Sequence, residues 1–286
     1  MVKLFTDTSA NLPLNLTTQH GITVIPFSYT VNGVPTDNSP DVDFDGKAFY
    51  DAMRAGADIC TSMINVDTFT TAFESALSNG DDVIYVGMSG GISGTAHAAT
   101  LAAEELREKY PDRKIFTIDT YAASMGEGLL VLRAASMIAE GISPEDIAAT
   151  LLDHRTTLCQ YFTVDDLQYL KKGGRLSVAG AFVGTLLKIK PILTGDDTGH
   201  IIACGKVRGR RQSLCHLAKK YDELALDKTA DISIAHCDCI DDVDFLIEQL
   251  RDCGFAGNCI TVCYEPVTGS HVGPGTVALF FPGTHK

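Results

Sequence analysis

The chain has 286 residues, with 23 Lys and Arg against 36 Asp and Glu, a formal net charge of −13 and 45% hydrophobic residues. This composition excludes wholesale disorder, and the acidic total argues against nucleic acid as a partner, since non-specific binding depends on neutralising phosphates. At roughly 100–200 residues per domain the length predicts two domains, placed at 1–156 and 157–286. The opening run Met1 to Asp7 loses its apolar character too early for a secretory signal. The longest apolar stretch, Ala179 to Ile192, is interrupted by Lys188 and Lys190 and is too short for a bilayer. The expectation is a cytoplasmic protein with at most transient membrane contact.

In chain order, Val2 to Phe5 reads as a strand, followed by the helix-capping cluster Thr6-Asp7-Thr8-Ser9 and a helix stopped at Gly21. Ile22 to Val31 reads as one strand, turned by the hairpin signal Asn32-Gly33. A helix from about Asp45 ends at Gly56, and Thr61-Ser62 precedes a helix through Phe69, Phe73 and Leu77. Val83-Ile84-Tyr85-Val86 is an unbroken apolar strand of the kind buried in a parallel sheet. It leads through a Gly- and Ser-rich loop into a helix reaching about Lys109. Lys114 to Ile118 is the next strand, followed by Asp119-Thr120, a long alanine-rich helix and a helix opened by Ser143-Pro144-Glu145. This alternation predicts an α/β domain with a doubly wound parallel sheet.

The second half predicts a mixed-sheet α/β domain. Leu158 to Val164 is a strand, and a short helix after Asp165-Asp166 is broken by Gly173-Gly174. Pro191 to Leu193, Ile201 to Ala203 and the basic run after them read as strands joined by Gly-rich turns. Helices near Leu214–Leu224 and Val243–Cys253 flank a strand at Ile232, and strands at Ile260–Tyr264 and Val277–Phe281 close the chain.

The nine cysteines, an odd number without a secretory signal, are expected as reduced thiols. The run His236-Cys237-Asp238-Cys239 invites a metal reading but lacks the paired knuckles of a zinc site. Cys237 and Cys239 are read instead as small buried hydrophobes alternating along a strand, and no metal is expected. Charge is uneven: between Lys171 and Lys220 eleven Lys and Arg face only Asp196 and Asp197. Within that stretch Arg208, Arg210 and Arg211 form the densest knot, suited to docking a partner or phosphate through bidentate hydrogen bonds, or else a solvated face.

The best site candidate is Gly87-Met88-Ser89-Gly90-Gly91-Ile92-Ser93-Gly94-Thr95. It leaves the carboxyl end of a buried parallel strand and enters a helix, where ligands of open α/β sheets bind. Its glycines allow close backbone approach, the helix start offers N–H groups, and Ser93 and Thr95 add hydroxyls, so it reads as an anion site. The plainer reading is that Ser93 or Thr95 caps the helix. The loop has neither the Lys of a phosphate loop nor G-x-G-x-x-G spacing, which disfavours nucleotides. Gly91-Ile92-Ser93-Gly94-Thr95 is one residue away from a G-x-S-x-G nucleophile elbow, and Asp119 and His271 follow in hydrolase order, so a serine hydrolase is the rival. His271, before Gly273-Pro274-Gly275, either presents its ring to a pocket or sits in a solvated loop. Arg175 either faces a ligand carboxylate or anchors the preceding helix, and Thr61-Ser62 either caps the next helix or contributes a hydroxyl.

Taken in order, Phe5-Thr6-Asp7-Thr8-Ser9, Thr61-Ser62, Gly91-Ile92-Ser93-Gly94-Thr95, Asp119-Thr120 and Ser124-Met125-Gly126 resemble the DegV family of bacterial fatty-acid-binding proteins. So do Asp166 through Arg175, Leu187-Lys188-Ile189-Lys190-Pro191 and His271-Val272-Gly273-Pro274-Gly275. The resemblance implies a two-domain fold related to the substrate-binding part of dihydroxyacetone kinases, with one long-chain fatty acid in a tunnel between the domains. It implies that hydroxyls matching Thr61 and Ser93 hold the carboxylate, with His271 nearby and Arg175 as the family arginine after the double glycine. It further implies a lipid-binding protein without a cofactor that is not itself an enzyme. Such a protein presents the acid to a separate ATP-dependent fatty acid kinase and carries the acyl phosphate. The chain departs from the family pattern at Met63-Ile64-Asn65, where a second hydroxyl and a Pro are usual.

Overall fold

A computed structural model describes residues 1–40, 44–176 and 188–285. Most of the apolar stretch from Ala179, and Leu187 of the Lys-Pro motif, lie outside the described residues. The chain divides into two compact units, one of Met1–Phe44 with Asp58–Arg155 and one of Asp45–Ala57 with Thr156–Lys286.

The first 155 residues run β1 (Val2–Asp7), a 3-10 turn (Thr8–Ala10), α1 (Leu14–His20), β2 (Thr23–Ile25), β3 (Ser28–Val31) and β4 (Val34–Thr36). They continue with α2 (Gly46–Arg54), β5 (Ile59–Ser62), α3 (Val66–Leu77), β6 (Asp82–Gly87), α4 (Thr95–Lys109), β7 (Ile115–Asp119), α5 (Met125–Ala139) and α6 (Pro144–His154). All of these except α2 belong to the first unit. Its main sheet is parallel, in the order β2-β1-β6-β7.

Phe5 and Tyr85 turn toward α3, where ring centroids lie 5.3 Å from Phe5 to Phe73 and 4.9 Å from Tyr85 to Phe69. Strand side chains alternate faces, so Thr6 points the other way and bonds Glu127 of α5. The pairs α3–α4 and α5–α6 thus cover opposite faces, as the doubly wound reading requires. The strand order reverses between β1 and β6, so the carboxyl ends of these two strands bound the crevice in which such sheets take ligands.

Two expectations for this unit need correction. The predicted strand from Ile22 to Val31 breaks at Pro26, which has no N–H for a ladder. β2 joins the parallel sheet, whereas β3 pairs antiparallel with β4 and β5 in a small separate sheet. Thr61-Ser62 does not cap α3. It ends β5, and the cap is Asn65, whose Oδ1 accepts from the Thr68 N–H at 2.9 Å.

The rest of the chain runs β8 (Leu158–Thr163), α7 (Gln168–Lys172), β9 (Ile189–Gly195), β10 (Ile201–Arg208), α8 (Arg210–Leu224) and β11 (Ile232–His236). It ends with α9 (Ile240–Asp252), β12 (Cys259–Cys263), α10 (Pro266–Val272) and β13 (Val277–Pro282). The strands form one mixed sheet, β10-β9-β8-β13-β11-β12. α2 packs in this second unit: the Tyr50 hydroxyl donates to the Tyr264 carbonyl at 2.8 Å and Arg54 pairs with Asp238.

Here too the structure departs from the sequence reading. Ile201 to Arg208 is one continuous strand whose register shifts between Ala203 and Gly205, so the glycine marks a bulge and not a turn. β11 stops at His236; Cys237 is buried just beyond it and Cys239 precedes α9, so the two do not alternate along a strand. His271 lies on α10, a helix the sequence reading missed, which is opened by Glu265 accepting from the Val267 and Thr268 N–H groups. Among the described residues no helix is long and apolar enough to cross a membrane.

Candidate ligand-binding site

Three loops leave the carboxyl ends of β1, β6 and β7 and are tied to one another. The Thr120 hydroxyl donates to the Gly87 carbonyl at 2.8 Å, and the Ser89 N–H donates to the Ala122 carbonyl at 2.8 Å. Ser124 Oγ donates to Asn11 Oδ1 at 3.2 Å. The crossing is strained, for Asn11, Tyr121 and Ser124 all carry φ between 53° and 56° without being glycine.

Within the loop after β6, most backbone donors are already engaged. The Met88 N–H goes to Asp7 Oδ2 (3.3 Å), the Gly90 N–H to Asp119 Oδ2 (3.0 Å) and the Gly91 N–H to Ser89 Oγ (3.1 Å). The Ile92 and Ser93 N–H groups both reach the Ser89 carbonyl at 3.2 Å. No acceptor among the described residues takes the N–H groups of Gly94, Ala96 and His97, which surround the start of α4. That end has no side-chain cap from Gly94; Ser93 Oγ instead pairs with Thr95 Oγ1 at 2.8 Å and lies 3.3 Å from the Thr95 N–H. The arrangement offers an anion two hydroxyls and several amide hydrogens at the positive end of a fifteen-residue helix. Met63 packs against this end, its Sδ 2.9 Å from where a β-carbon at Gly94 would stand, while Thr61 lies on β5 opposite Tyr29.

Asp119, the candidate acid of a hydrolase relay, is committed to the loop itself. Besides Gly90 it accepts from the Tyr121 N–H at 3.0 Å, and its oxygen lies 2.6 Å from where a Gly90 β-carbon would be. Arg155 donates to its carbonyl at 2.7 Å and stacks on Tyr121, 3.9 Å from the ring centroid. Among the described residues the Ser93 hydroxyl is matched with the Thr95 hydroxyl and not with a base.

Below the loop lies a group that the sequence reading passed over. Asp7, Ser9 and Glu127 are fully buried. Asp7 accepts from the Ser9 N–H (2.9 Å), the Ser9 hydroxyl (2.5 Å) and the Tyr85 hydroxyl (2.6 Å) as well as from Met88. Burial pushes its carboxyl above the usual range, while the bonds from Ser9, Tyr85 and Met88 pull against that rise. Thr6-Asp7-Thr8-Ser9 reads as the cap of the helix stopped at Gly21, but Asp7 caps only the 3-10 turn Thr8–Ala10; α1 starts at Leu14, after Pro13, without a side-chain cap. Nothing in the sequence marks Glu127, in the first turn of an alanine-rich helix, as a partner of that cluster.

In the second unit Arg175 and His271 come together. Gly173 follows the last residue of α7, Lys172, and Nδ1 of His271 lies 2.6 Å from the place of a Gly173 β-carbon. Arg175 donates to the Gly173 carbonyl at 2.5 Å. Burial, reinforced by the nearby Arg175 charge, pushes the imidazole down to about 4. It is a half-buried helical residue and not a solvated loop histidine.

The basic knot divides. Arg208 is exposed at the end of edge strand β10, and Arg211 is exposed with its guanidinium 5.0 Å from the Phe245 ring centroid. Arg210 is held inside its own unit: it donates to Asp242 Oδ2 through Nε at 3.0 Å and Nη2 at 2.8 Å, and to the Gly275 carbonyl at 2.5 Å. Its guanidinium is therefore committed to the turn that follows His271, and the docking expectation narrows to Arg208 and Arg211. Burial pushes the neighbouring Cys239 thiol up to about 12, which keeps it un-ionised and unreactive.

Comparison with known proteins places these features in a lineage. A family profile described as an uncharacterised protein of the DegV family matches residues 1–283. A DegV domain-containing protein of Clostridium perfringens is 37% identical over 284 residues, covering 99% of this chain and 98% of the relative. A solved structure described as fatty acid binding of a DegV family protein from Thermus thermophilus has a TM-score of 0.86 at 31% identity, covering 98% of each chain. A fatty acid binding DegV family protein from Streptococcus agalactiae has a TM-score of 0.87 at 28% identity, again covering 98% of each.

Proposed function

The chain belongs to the DegV family, and from that footing we propose that it binds a long-chain fatty acid, presents it to a separate ATP-dependent kinase and then carries the acyl phosphate. The observation that carries the ligand is the start of α4, where Ser93 and Thr95 hydroxyls sit among the open N–H groups of Gly94, Ala96 and His97. A carboxylate there meets charge-assisted donors and escapes the penalty of an unpaired buried charge. Thr61, on β5, is assigned to the same head group on the family resemblance. Arg175 and His271 are proposed as further ligand-binding residues, with the imidazole neutral and available as a hydrogen-bond partner. The relatives from Thermus thermophilus and Streptococcus agalactiae, described as fatty acid binding, support the choice of ligand. An acyl chain burying about 14 methylenes contributes roughly 11 kcal/mol gross at ~0.8 kcal/mol each, before ordering costs.

The role assigned is presentation and not catalysis, since phosphoryl transfer needs nucleotide and metal sites that the kinase would bring. Arg208 and Arg211 are the groups proposed to meet that kinase or its nucleotide. The test is denaturing extraction of the purified protein followed by mass spectrometry. A long-chain acyl species in near-stoichiometric amount is expected; no extracted acyl species together with no binding of added fatty acid would overturn the reading.

A further inference from the structure

In the second unit α9 and the start of β12 border a cavity of about 440 Å³, within the range of small-molecule sites. Leu246 and Leu250 of α9 belong to the buried core. Ile247 and Arg251, each one position on, therefore lie one turn apart along the helix flank and line the cavity. Phe255 supplies an apolar floor; it is buried, with its ring edge-on to Tyr221 at 5.8 Å between centroids. Gly257, Asn258 and Cys259 form the remaining wall. That wall is fixed by its own packing. A β-carbon on Gly257 would stand 2.3 Å from the Ala230 carbonyl oxygen, so only glycine fits there. Asp231 Oδ1 accepts from the Asn258 N–H at 3.1 Å and from Asn258 Nδ2 at 2.9 Å.

Arg54 and Arg210 are tied to carboxylates, whereas no carboxylate among the described residues pairs with Arg251. No acidic side chain lines the cavity. The Arg251 charge acts on Cys259: burial raises that thiol, while its contact with Thr261 and the Arg251 guanidinium pull against the rise. β12 is an edge strand. The Asn258 carbonyl accepts from the Ile232 N–H and the Tyr264 N–H donates to the His236 carbonyl, so the even-numbered positions bond β11. In a parallel ladder the odd-numbered residues then turn both backbone groups outward, which leaves the Cys259 N–H at the open edge.

We propose that this cavity binds a small carboxylate carrying a short apolar or aromatic body. The Arg251 fork takes the carboxylate by paired hydrogen bonds, with the Cys259 N–H as a further donor. Ile247 and Phe255 take the body. One guanidinium on a wall without acids matches one negative charge, and a bare phosphate would leave the apolar floor uncovered. Because the wall is already held in place, binding demands little ordering of it. The site lies in the unit that does not carry α4, and it does not rest on the fatty-acid reading.

The experiment follows alkylation of the full chain by N-ethylmaleimide, read on the Cys259 peptide by mass spectrometry with the exposed Cys60 as reference. 4-Phenylbutyrate at up to about 10 mM should slow labelling of Cys259 several-fold and leave Cys60 unchanged. Its neutral amide and inorganic phosphate should not protect. Arg251→Gln should raise the concentration needed for protection about tenfold or more, the effect of losing a charge-assisted bond, and Arg251→Lys should restore part of it. Neither variant should shift the melting temperature, since no carboxylate among the described residues pairs with Arg251. Ser93→Ala should keep full protection, because Ser93 belongs to the other unit. The proposal is overturned if phenylbutyrate gives no protection, if the amide or phosphate protects equally, or if Arg251→Gln behaves as the wild type does. Loss of protection in Ser93→Ala would also overturn it, by tracing the effect to the start of α4. Should the Arg251 variants fail to fold, the comparison of acid with amide on the wild type decides.

Discussion

His271 rests directly on Gly173: its Nδ1 lies 2.6 Å from where any larger residue would place a β-carbon. The close approach seals the imidazole against the double-glycine turn, where Arg175 also bonds. Burial and that like charge both disfavour protonation. The consequence is a ring that stays neutral well below physiological pH.

The first prediction concerns pH. The folded imidazole titrates at about 4 against an ordinary 6.5. The depressed value means that the unfolded chain takes up the proton first as pH falls. His271 therefore destabilises nothing above the ordinary value, and stability is lost progressively between 6.5 and about 4. The loss should reach at most about 3 kcal/mol. Urea melts of the wild type and His271→Gln across that window should diverge by this amount; parallel curves would mean that the imidazole is accessible to protons in the folded state.

A second prediction follows from the start of α4. Ser93→Ala and Thr61→Ala should each weaken fatty-acid retention by about 1.5–3 kcal/mol, the worth of a hydrogen bond to a charged group. Neither should unfold the chain, because Ser93 and Thr61 are only partly buried. Calorimetric titration with a soluble fatty acid provides the measurement. Wild-type affinity in both variants would remove these hydroxyls from the site.

The arginines give a third prediction. Arg210→Gln leaves Asp242 and the Gly275 carbonyl without their donor, and it should cost on the order of 2–3 kcal/mol of stability. Arg208→Gln and Arg211→Gln together should change stability by no more than about 1 kcal/mol. If the pair meets a kinase, it should slow acyl phosphate formation most at low ionic strength, where screening beyond about 10 Å is weakest. Denaturant melts separate the structural arginine from the exposed two, and a kinase-coupled assay at several salt concentrations tests docking. Equal coupled rates at low salt would leave Arg208 and Arg211 as a solvated surface.

The parallel sheet was legible because its signals are local. Val83-Ile84-Tyr85-Val86 is apolar at every position, as a strand covered on both faces must be, and the glycines after it mark the turn into α4. Gly21 and Gly56 stop their helices through positive φ, and Ser143 caps α6, all within a turn of the sequence that encodes them. Where one residue overrides its neighbours the reading slipped. Pro26 divides an otherwise continuous strand, and Glu265 starts a seven-residue helix where the Gly-Pro-Gly run suggests only a loop.

The sequence by itself determined the α/β alternation, the glycine- and serine-rich loop after β6 and the ordered motifs of the family, because each depends on residues adjacent along the chain. Only the tertiary structure decided what each polar group faces. It gave Arg210 to Asp242, 32 positions away, and Thr6 to Glu127, 121 positions away. It spent Asp119 on the loop's own amides and set His271 against Gly173. Charge and hydrogen-bonding capacity are written in the residue type, but their direction is fixed by which strands and helices pack together. A buried carboxyl such as Glu127 acquires its chemistry from neighbours that chain order does not reveal.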